Sequence, residues 1–581
     1  MAFVEWIALL SLALTGQEQG AAPKQERAEL RVGQWVKVKG ALDKSGVFVA
    51  DEIEVVPPDD KEVLVGRVES VLDRERFQLL GAQVRISDKT EWQELELGDL
   101  EGARVRVKGY WRGPLNFSSR EISKRGEGRD GIEGRIDQLE LDGPYLRLMI
   151  MGFRVQVAAE VDVEHELPLS EIPLAPERFI NPRGLQRDDE DEVLGSIQLM
   201  DGLTLGGQVE LEWTHKDNYD LDDSKAADRT DYDLAARLEA VWAPSSDFFA
   251  LVNARMTQQW RHDQADGDSH DTNWLVAEAF GYWRDALGWG WDVQFGRQDY
   301  DEKREWLYDD NLDALRLIRA EPAWRLELSA ATKLSDGSER DENSTDLIGY
   351  LSNNSRRKHA ALYVIDRRDQ DDSGEHFTHL GGRIYGEWLP QNQSWLELCG
   401  LVGETGGEDL GALGLDLGST WMPPADWAPA LTAGWAWGSG DQEPQSGNNG
   451  TFRQTGFNDN NDKWSGVTSF RYYGELTDPE LANLSIVTFG LGKRLTRNNS
   501  LDLIWHRYDQ VEPAAQLINT DLRSKPDGID TYLGWEVDLV FGSRALQNTQ
   551  IECVLGWFEP GAAFPDGDPA WLGRVQVRWR F

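Results

Sequence analysis

Two stretches of the chain concentrate charged and polar residues at spacings too particular for ordinary surface loops. Gly296-Arg297-Gln298-Asp299-Tyr300 runs into Lys303-Arg304-Glu305-Trp306-Leu307-Tyr308-Asp309-Asp310-Asn311-Leu312-Asp313-Ala314-Leu315-Arg316-Leu317, and Gly438-Ser439-Gly440-Asp441 is followed by Phe452-Arg453-Gln454-Thr455-Gly456. Arginines set among carboxylates can fork onto an anionic ligand, or they can be held in ion pairs by their neighbours. Acid–base or nucleophilic catalysis would need a different constellation. The sequence has no Gly-x-Ser-x-Gly elbow and no His-Glu-x-x-His, and its eight histidines are scattered. His506, in a strand with Trp505 and Tyr508, reads as an aromatic-belt or lumen residue. Cys399 and Cys553 lie in apolar strand-like segments and can build neither a disulfide framework nor a zinc site. A formal charge of -42 with a pI near 4.5 argues against nucleic acid as a partner, because phosphate binding needs a basic footprint. Much of the acid falls in Asp217 to Asp233, Asp263 to Asp271, Asp336 to Asp346 and Asp366 to Glu375. These read as solvated loops that would hold calcium weakly at most, since none keeps the spacing of a calcium loop. No other cofactor is expected.

The elements that would position the arginines are strands. Among 581 residues, 40% are hydrophobic, and a mean hydropathy of -0.54 would ordinarily suggest a soluble protein. A membrane-spanning strand escapes that argument, because it alternates apolar and polar residues. The one apolar run, Ile7 to Leu14, is too short to span a bilayer, and residues 1–16 read as a signal peptide despite Glu5 and the absence of Lys or Arg before it. From residue 195 to 581 a period of two is persistent. Val209, Leu211 and Trp213 oppose Gln208, Glu210 and Glu212; Trp324, Leu326, Leu328 and Ala330 oppose Arg325, Glu327, Ser329 and Lys333. The final strand sets Val575, Val577, Trp579 and Phe581 against Arg574, Gln576, Arg578 and Arg580. A soluble sandwich also alternates, but with shorter strands and more even turns. Tryptophan occurs 25 times in the chain, many copies at strand ends, and tight turns such as Glu321 to Ala323, Leu495 to Ser500 and Gly542 to Asn548 alternate with long acidic loops. The walk gives about 18 strands, the even number that a transmembrane antiparallel β-barrel requires.

Before the barrel, residues 30–96 and 97–168 form an internal repeat with a period of roughly 70 residues. Gly33-Gln34-Trp35-Val36-Lys37-Val38-Lys39-Gly40 answers Gly102-Ala103-Arg104-Val105-Arg106-Val107-Lys108-Gly109, and Gly66-Arg67-Val68 answers Gly134-Arg135-Ile136. Both copies are similar to small OB-like β-barrels, predicted to stand in the periplasm. Lys37, Lys39, Arg104, Arg106 and Lys108 could form a basic strip, though solvated strand faces are the commoner meaning of such residues. Residues 169–194, with several prolines and five consecutive acids at Asp188 to Glu192, read as a linker.

The two loop motifs resemble the alginate export family of outer-membrane porins, as does the run from Gly474-Glu475-Leu476 through Leu491-Gly492 to Leu501-Asp502-Leu503-Ile504-Trp505-His506-Arg507-Tyr508. The resemblance implies an outer-membrane pore of 18 strands, passing a secreted polyuronate through a constriction of arginines and acids. Fixed positive groups would replace the counterions of a polyanion, and neighbouring carboxylates would keep binding loose enough for release. Arg297, Arg304, Arg316 and Arg453 are the lumen candidates from the motifs; Arg325, Lys333 and Arg383 follow from strand parity; Asp309, Asp310 and Asp313 would orient them. Arg297 carries a conflict. Strict alternation sends it outward with Trp291, Val293 and Phe295, unless a bulge at Gly296 shifts the register or Arg297 lies beyond the membrane band. The expected partners are outer-membrane lipids, an anionic polysaccharide and a periplasmic scaffold reached through residues 30–160, and the barrel is expected to be monomeric. Two other readings stand beside export: a general or substrate-specific, anion-preferring porin for small solutes, and an envelope binding module anchored by the barrel.

Overall fold

A computed structural model of the chain describes residues 30–165 and 197–581 apart from short internal stretches, the longest being 335–343, 370–374 and 424–428. The leader at 1–16 and the linker at 169–194 lie outside the described residues. The chain divides into two compact units, Met1–Asn181 and Pro182–Phe581.

In the first unit the chain forms β1 (Trp35–Leu42), β2 (Val47–Val56), β3 (Glu62–Val71), β4 (Arg76–Leu79), β5 (Ala82–Arg85) and the short β6 (Glu91–Gln93). The second copy follows as β7 (Arg104–Gly113), β8 (Asn116–Lys124), β9 (Asp130–Arg135), β10 (Gln138–Asp142), β11 (Tyr145–Ile150), β12 (Phe153–Val157) and the short β13 (Val163–His165). The copies match, with the single strand β3 of the first answered by β9 and β10 of the second. Each has a register shift just before Gly40 or Gly109, where a Cβ would lie 2.0 or 2.1 Å from a facing carbonyl oxygen. Each also turns through a positive-φ pair, Leu80-Gly81 or Met151-Gly152.

The barrels, however, do not close copy by copy. β7 and β8 join β3 and β5 (Val107 opposite Leu64, Phe117 opposite Val84), while β1 and β2 join β9 and β12 (Val38 opposite Ile132, Ala50 opposite Val157). One cycle therefore comprises β3, β4, β5, β7 and β8, and the other β1, β2, β9 with β10, β11 and β12. The expected boundary between residues 96 and 97 divides the sequence copies but separates neither cycle. Strand equivalence cannot say which half completes which barrel. The link after β2 begins with Pro57-Pro58, which favours an extended path and disfavours folding β3 straight back beside β1. The basic strip is neutralised in place: Lys37 faces Glu54 (3.4 Å), Lys39 faces Glu52 (2.5 Å), Arg104 faces Asp130 (2.7 Å), Arg106 faces Glu121 (3.6 Å) and Lys108 faces Asp59 (2.8 Å).

The second unit is a closed antiparallel barrel of 18 strands, from Leu203–Asp217 to Ala570–Arg580. The ends meet with Gln208 opposite Arg580 and Asp217 opposite Trp571, so the first and last strands leave no open edge between them. Side chains reinforce the seam: Arg578 pairs with Glu210 at 2.7 Å, and Arg580 Nε donates to Gln208 at 3.0 Å. The terminal Phe581 exchanges backbone hydrogen bonds with Gly207 and lays its ring where a Gly207 Cβ would stand.

Alternation sorts the wall as expected. Leu211, Leu362 and Leu380 face outward, Leu380 with 65% of its surface exposed, whereas Glu536 and Asp538 face inward with none. Tryptophans mark two rims of the outer face: Trp242, Trp283, Trp324, Trp388 and Trp421 on the turn side, and Trp213, Trp260, Trp274 and Trp557 toward the loops, joined there by Tyr232. Tyr232 and Trp242 are ten residues apart on one strand, about 33 Å along it at ~3.3 Å per residue. At a tilt near 40° that is about 25 Å of height, the apolar band of an outer-membrane barrel.

All four acidic stretches expected as solvated loops run into this wall at their ends. Asp231 lies in the strand Arg229–Trp242 and Asp346 in Ser344–Asn353, both buried. They alternate with apolar neighbours, so their side chains point inward, where arginines meet Asp231: Arg229 and Arg261 bond to it at 2.6 and 2.9 Å.

Candidate functional site

The lumen has two unlike walls. After the strand Asp292–Asp301, residues 302–308 fold inward, and so does the long segment between the strands Pro429–Gly438 and Leu484–Thr496. Their aromatic and aliphatic side chains, among them Trp306, Tyr308, Phe452, Phe457, Tyr472 and Tyr473, share one buried core with inward residues of the wall such as Tyr363, Trp395 and Ile504. The two sequence motifs are the parts that pin this packing.

Arg304 donates to Asp416 (2.7 Å) on the wall and to Asp462 (2.9 Å) in the long segment, with its guanidinium between the rings of Trp395 (4.4 Å) and Tyr472 (4.2 Å). It is buried, so it joins three parts of the fold instead of facing a passing solute. Glu302 receives the backbone N–H groups of Arg304 (3.0 Å), Trp306 (2.6 Å) and Leu307 (3.1 Å) and pairs with Arg383, which also bonds to Glu397 (2.8 Å). Burial pushes the Glu302 carboxyl up, but Arg383 and those N–H groups outweigh it and hold the group below the usual carboxylate range. Gln454 bonds to Trp306 O (2.9 Å), and Asp309 N bonds to Phe457 O (2.6 Å), tying the second motif to the first. Further along, Glu536 receives the N–H groups of Leu476 (2.7 Å) and Thr477 (3.1 Å).

Arg316, Arg325, Lys333 and Asp310 face inward. Arg316 Nε and Arg325 Nε both donate to Glu327, each at 2.6 Å, and Lys333 pairs with Asp310 at 2.8 Å. Arg453 accepts a hydrogen bond on its carbonyl oxygen from His379 Nε2 (3.0 Å), and its side chain, half-buried, forms no ion pair with a described residue. Arg297 and Asp313 are different: they stand opposite each other, in register with the exposed pair Phe295 and Leu315. No register shift intervenes, so both belong to the outer face and not to the lumen. The pair is tolerated there because it neutralises itself at 3.1 Å, and because Arg297 also bonds to Val276 O (3.3 Å), freed where two neighbouring strands stop pairing. Asp309 lies at the loop rim, and its carboxylate oxygen comes within 4.8 Å of those of Glu305 and Asp459. Burial, then Asp309, Asp301 and Asp459, push the Glu305 carboxyl well above its ordinary range. This is the group of described residues with donors for a cation, and it lies outside the four acidic stretches where weak calcium binding was expected.

The residues that motif reading missed are the partners: Glu302, Trp395, Glu397, Asp416, Asp462, Tyr472 and Glu536. Parity marks Glu397, Asp416 and Glu536 as inward, yet nothing local says that Asp416 and Asp462 meet over Arg304.

The opposite wall is less covered. Inward side chains of the strands between Leu203 and Asp263, and of the last strand, keep part of their surface: Arg261 32%, Arg229 22%, Arg578 21% and Glu210 18% of the side chain. Arg237 and Arg255 are likewise half-buried. On the loop-covered wall Glu397, Asp416 and His506 are at most 3% exposed.

A closed barrel with a tryptophan-rimmed apolar outside and a charged inside defines an outer-membrane β-barrel of the porin class. The chain belongs to the alginate export family, whose sequence model matches residues 184–578. Residues 14–54 and 65–118 match a domain of unknown function. No curated protein matches. Among solved structures, the chain is similar to OccK5 (OpdH) of Pseudomonas aeruginosa, at 10% identity and a TM-score of 0.45, covering 66% of this chain and 99% of that one. It is also similar to OprD of the same organism (11%, 0.43, covering 68% and 96%) and to OccAB3 of Acinetobacter baumannii (9%, 0.44, covering 66% and 100%).

Proposed function

We propose that this outer-membrane channel exports an anionic, uronate-rich polysaccharide by passive passage along the wall between Leu203 and Asp263. The observation that carries this reading is the asymmetry of the lumen: one wall is packed by inward segments, and the other presents half-exposed Arg229, Arg237, Arg255 and Arg261 among Glu210, Asp231 and Asp233. Arginine forks replace the counterions of a polyanion, and alternating carboxylates prevent any one residue from holding it. A lumen can be locally positive in a chain of strongly negative total charge, because a narrow pore responds to the groups that line it. The membership in the alginate export family supports the same cargo class. The first unit is proposed to stand in the periplasm, where it meets a scaffold or the emerging polymer, and the barrel is proposed to act as a monomer.

The test is electrical. Purified channel in planar bilayers should prefer anions, and uronate oligomers added on one side should interrupt the current; Arg255→Ala with Arg261→Ala should weaken both effects. Anion current that oligomers never interrupt would refute export and leave a porin for small solutes. Deleting residues 30–160 tests the first unit separately: unchanged export in cells would remove any part for it in transport.

A further inference from the structure

The outer wall between the strands Asp309–Ala320 and Lys358–Asp369 is dented. Ala330, opposite Leu315 and Leu347, and Gly349, opposite Leu328 and Val364, form the floor of an apolar groove of about 430 Å³ walled by those four side chains. The groove crosses three strand spacings, about 14 Å. Because strands are tilted, a path at right angles to them also climbs through the membrane, by about 3 Å per strand at a tilt near 40°. Asp366 ends the groove. It lies opposite Thr378, ten residues along its strand from the turn-side Trp388, the same separation that divides Tyr232 from Trp242. The Asp366 end therefore sits at the loop-side edge of the apolar band, and the groove descends from it.

That edge carries a charged cluster on the lipid-facing side. Asp366 accepts from Arg368 Nε (2.9 Å) and Thr378 Oγ1 (2.7 Å) and meets His376 Nε2 (2.7 Å). A carboxylate on this face must be neutralised. The arrangement leaves 65% of the Arg368 side chain exposed, with no partner on its Nη atoms among the described residues.

We propose that the groove and Arg368 form a seat for one lipopolysaccharide molecule, an acyl chain lying along Ala330 and Gly349 and a lipid A phosphate resting on the Arg368 guanidinium. The length and direction of the groove fit a chain entering from the headgroup level, and the cation stands where an anionic headgroup would be. In barrels of this class the long loops are extracellular, so the loop-side edge meets the outer leaflet.

The experiment is native mass spectrometry of the full chain, delipidated in mild detergent and titrated with lipid A or with phosphatidylglycerol. One lipid A should be retained, more tightly than phosphatidylglycerol. Arg368→Ala should weaken retention about tenfold, as loss of a charge-assisted hydrogen bond does. Gly349→Leu, which fills the groove, should do the same. Arg507→Ala is the control, because Arg507 is another exposed arginine, paired with Asp509 on its own strand Asn499–Gln510 away from the groove, and this variant should bind lipid A as the parent does. Folding of each variant is read from its heat-shifted electrophoretic mobility, and Arg368→Ala alone decides if Gly349→Leu fails to fold. Equal retention of phosphatidylglycerol, unchanged retention in Arg368→Ala, or an equal loss in Arg507→Ala would each overturn the proposal.

Discussion

Replacing Arg304 with alanine separates a permeation role from a structural one. The change leaves the Asp416 and Asp462 carboxylates, each at most 5% exposed, without the cation they share, and it removes two ring contacts at 4.2 and 4.4 Å. Breaking a buried pair from one side costs about 3–5 kcal/mol, because the stranded charge has no water to return to. A cost of about 4 kcal/mol raises the population of the released inward segments about a thousandfold. The barrel ladder does not depend on Arg304, and Glu302, Gln454 and Glu536 still hold other parts of the packing. The expected outcome is a folded barrel with a larger, flickering single-channel conductance, and faster amide exchange confined to residues 303–308 and 455–473. Adding Asp416→Asn and Asp462→Asn to Arg304→Ala should restore much of the quiet state, since neutral amides are cheaper to strand than carboxylates. Unchanged exchange and conductance, with a shifted reversal potential, would refute this reasoning and make Arg304 a residue that solutes touch.

Three other outcomes follow from geometry. Gly296→Ala places a Cβ about 2.3 Å from Ala279 O at a φ of +107°, so the yield of folded barrel, read by heat-shifted mobility, should fall sharply. Gly207→Leu drives a side chain into the Phe581 ring, where even a Cβ would lie 2.1 Å away, and should slow closure of the seam in refolding into detergent. In the first unit, Lys37→Cys with Glu133→Cys should cross-link within one chain, because those residues are opposite each other, while Lys37→Cys with Val65→Cys should not; the reverse result would mean that each copy closes on itself.

Much of the barrel was legible in the sequence because a strand of this kind writes its two faces in alternate residues. The two faces of the wall strands and the inward direction of Arg325, Lys333 and Arg383 follow from counting by twos. Partnership does not. Arg304 meets Asp462 across 158 residues and Asp416 across 112, and no local pattern carries that information. Arg297 shows the converse: parity sent it outward, and it is outward, because Asp313 on the next strand removes the cost. The repeats were visible as repeats, yet two equivalent sets of complementary edges have two ways to pair. The choice falls to the links between them, where sequence periodicity is silent.

That exchange has a consequence for how the first unit folds. The inner cycle is contiguous, from β3 through β8, and can close as soon as residue 124 has been delivered. The hairpin of β1 and β2 must wait for β9 to β12, and closing a flexible loop that long costs entropy that grows as about (3/2)RT ln n. Once the inner cycle has formed, its two exits, at β3 and β8, are held on one rigid body. The ends of β2 and β9 are then brought near each other before they have made a single contact. The inner barrel serves the outer one as an intramolecular clamp, much as a cross-link would, and loosening its core should slow a barrel whose own residues are untouched.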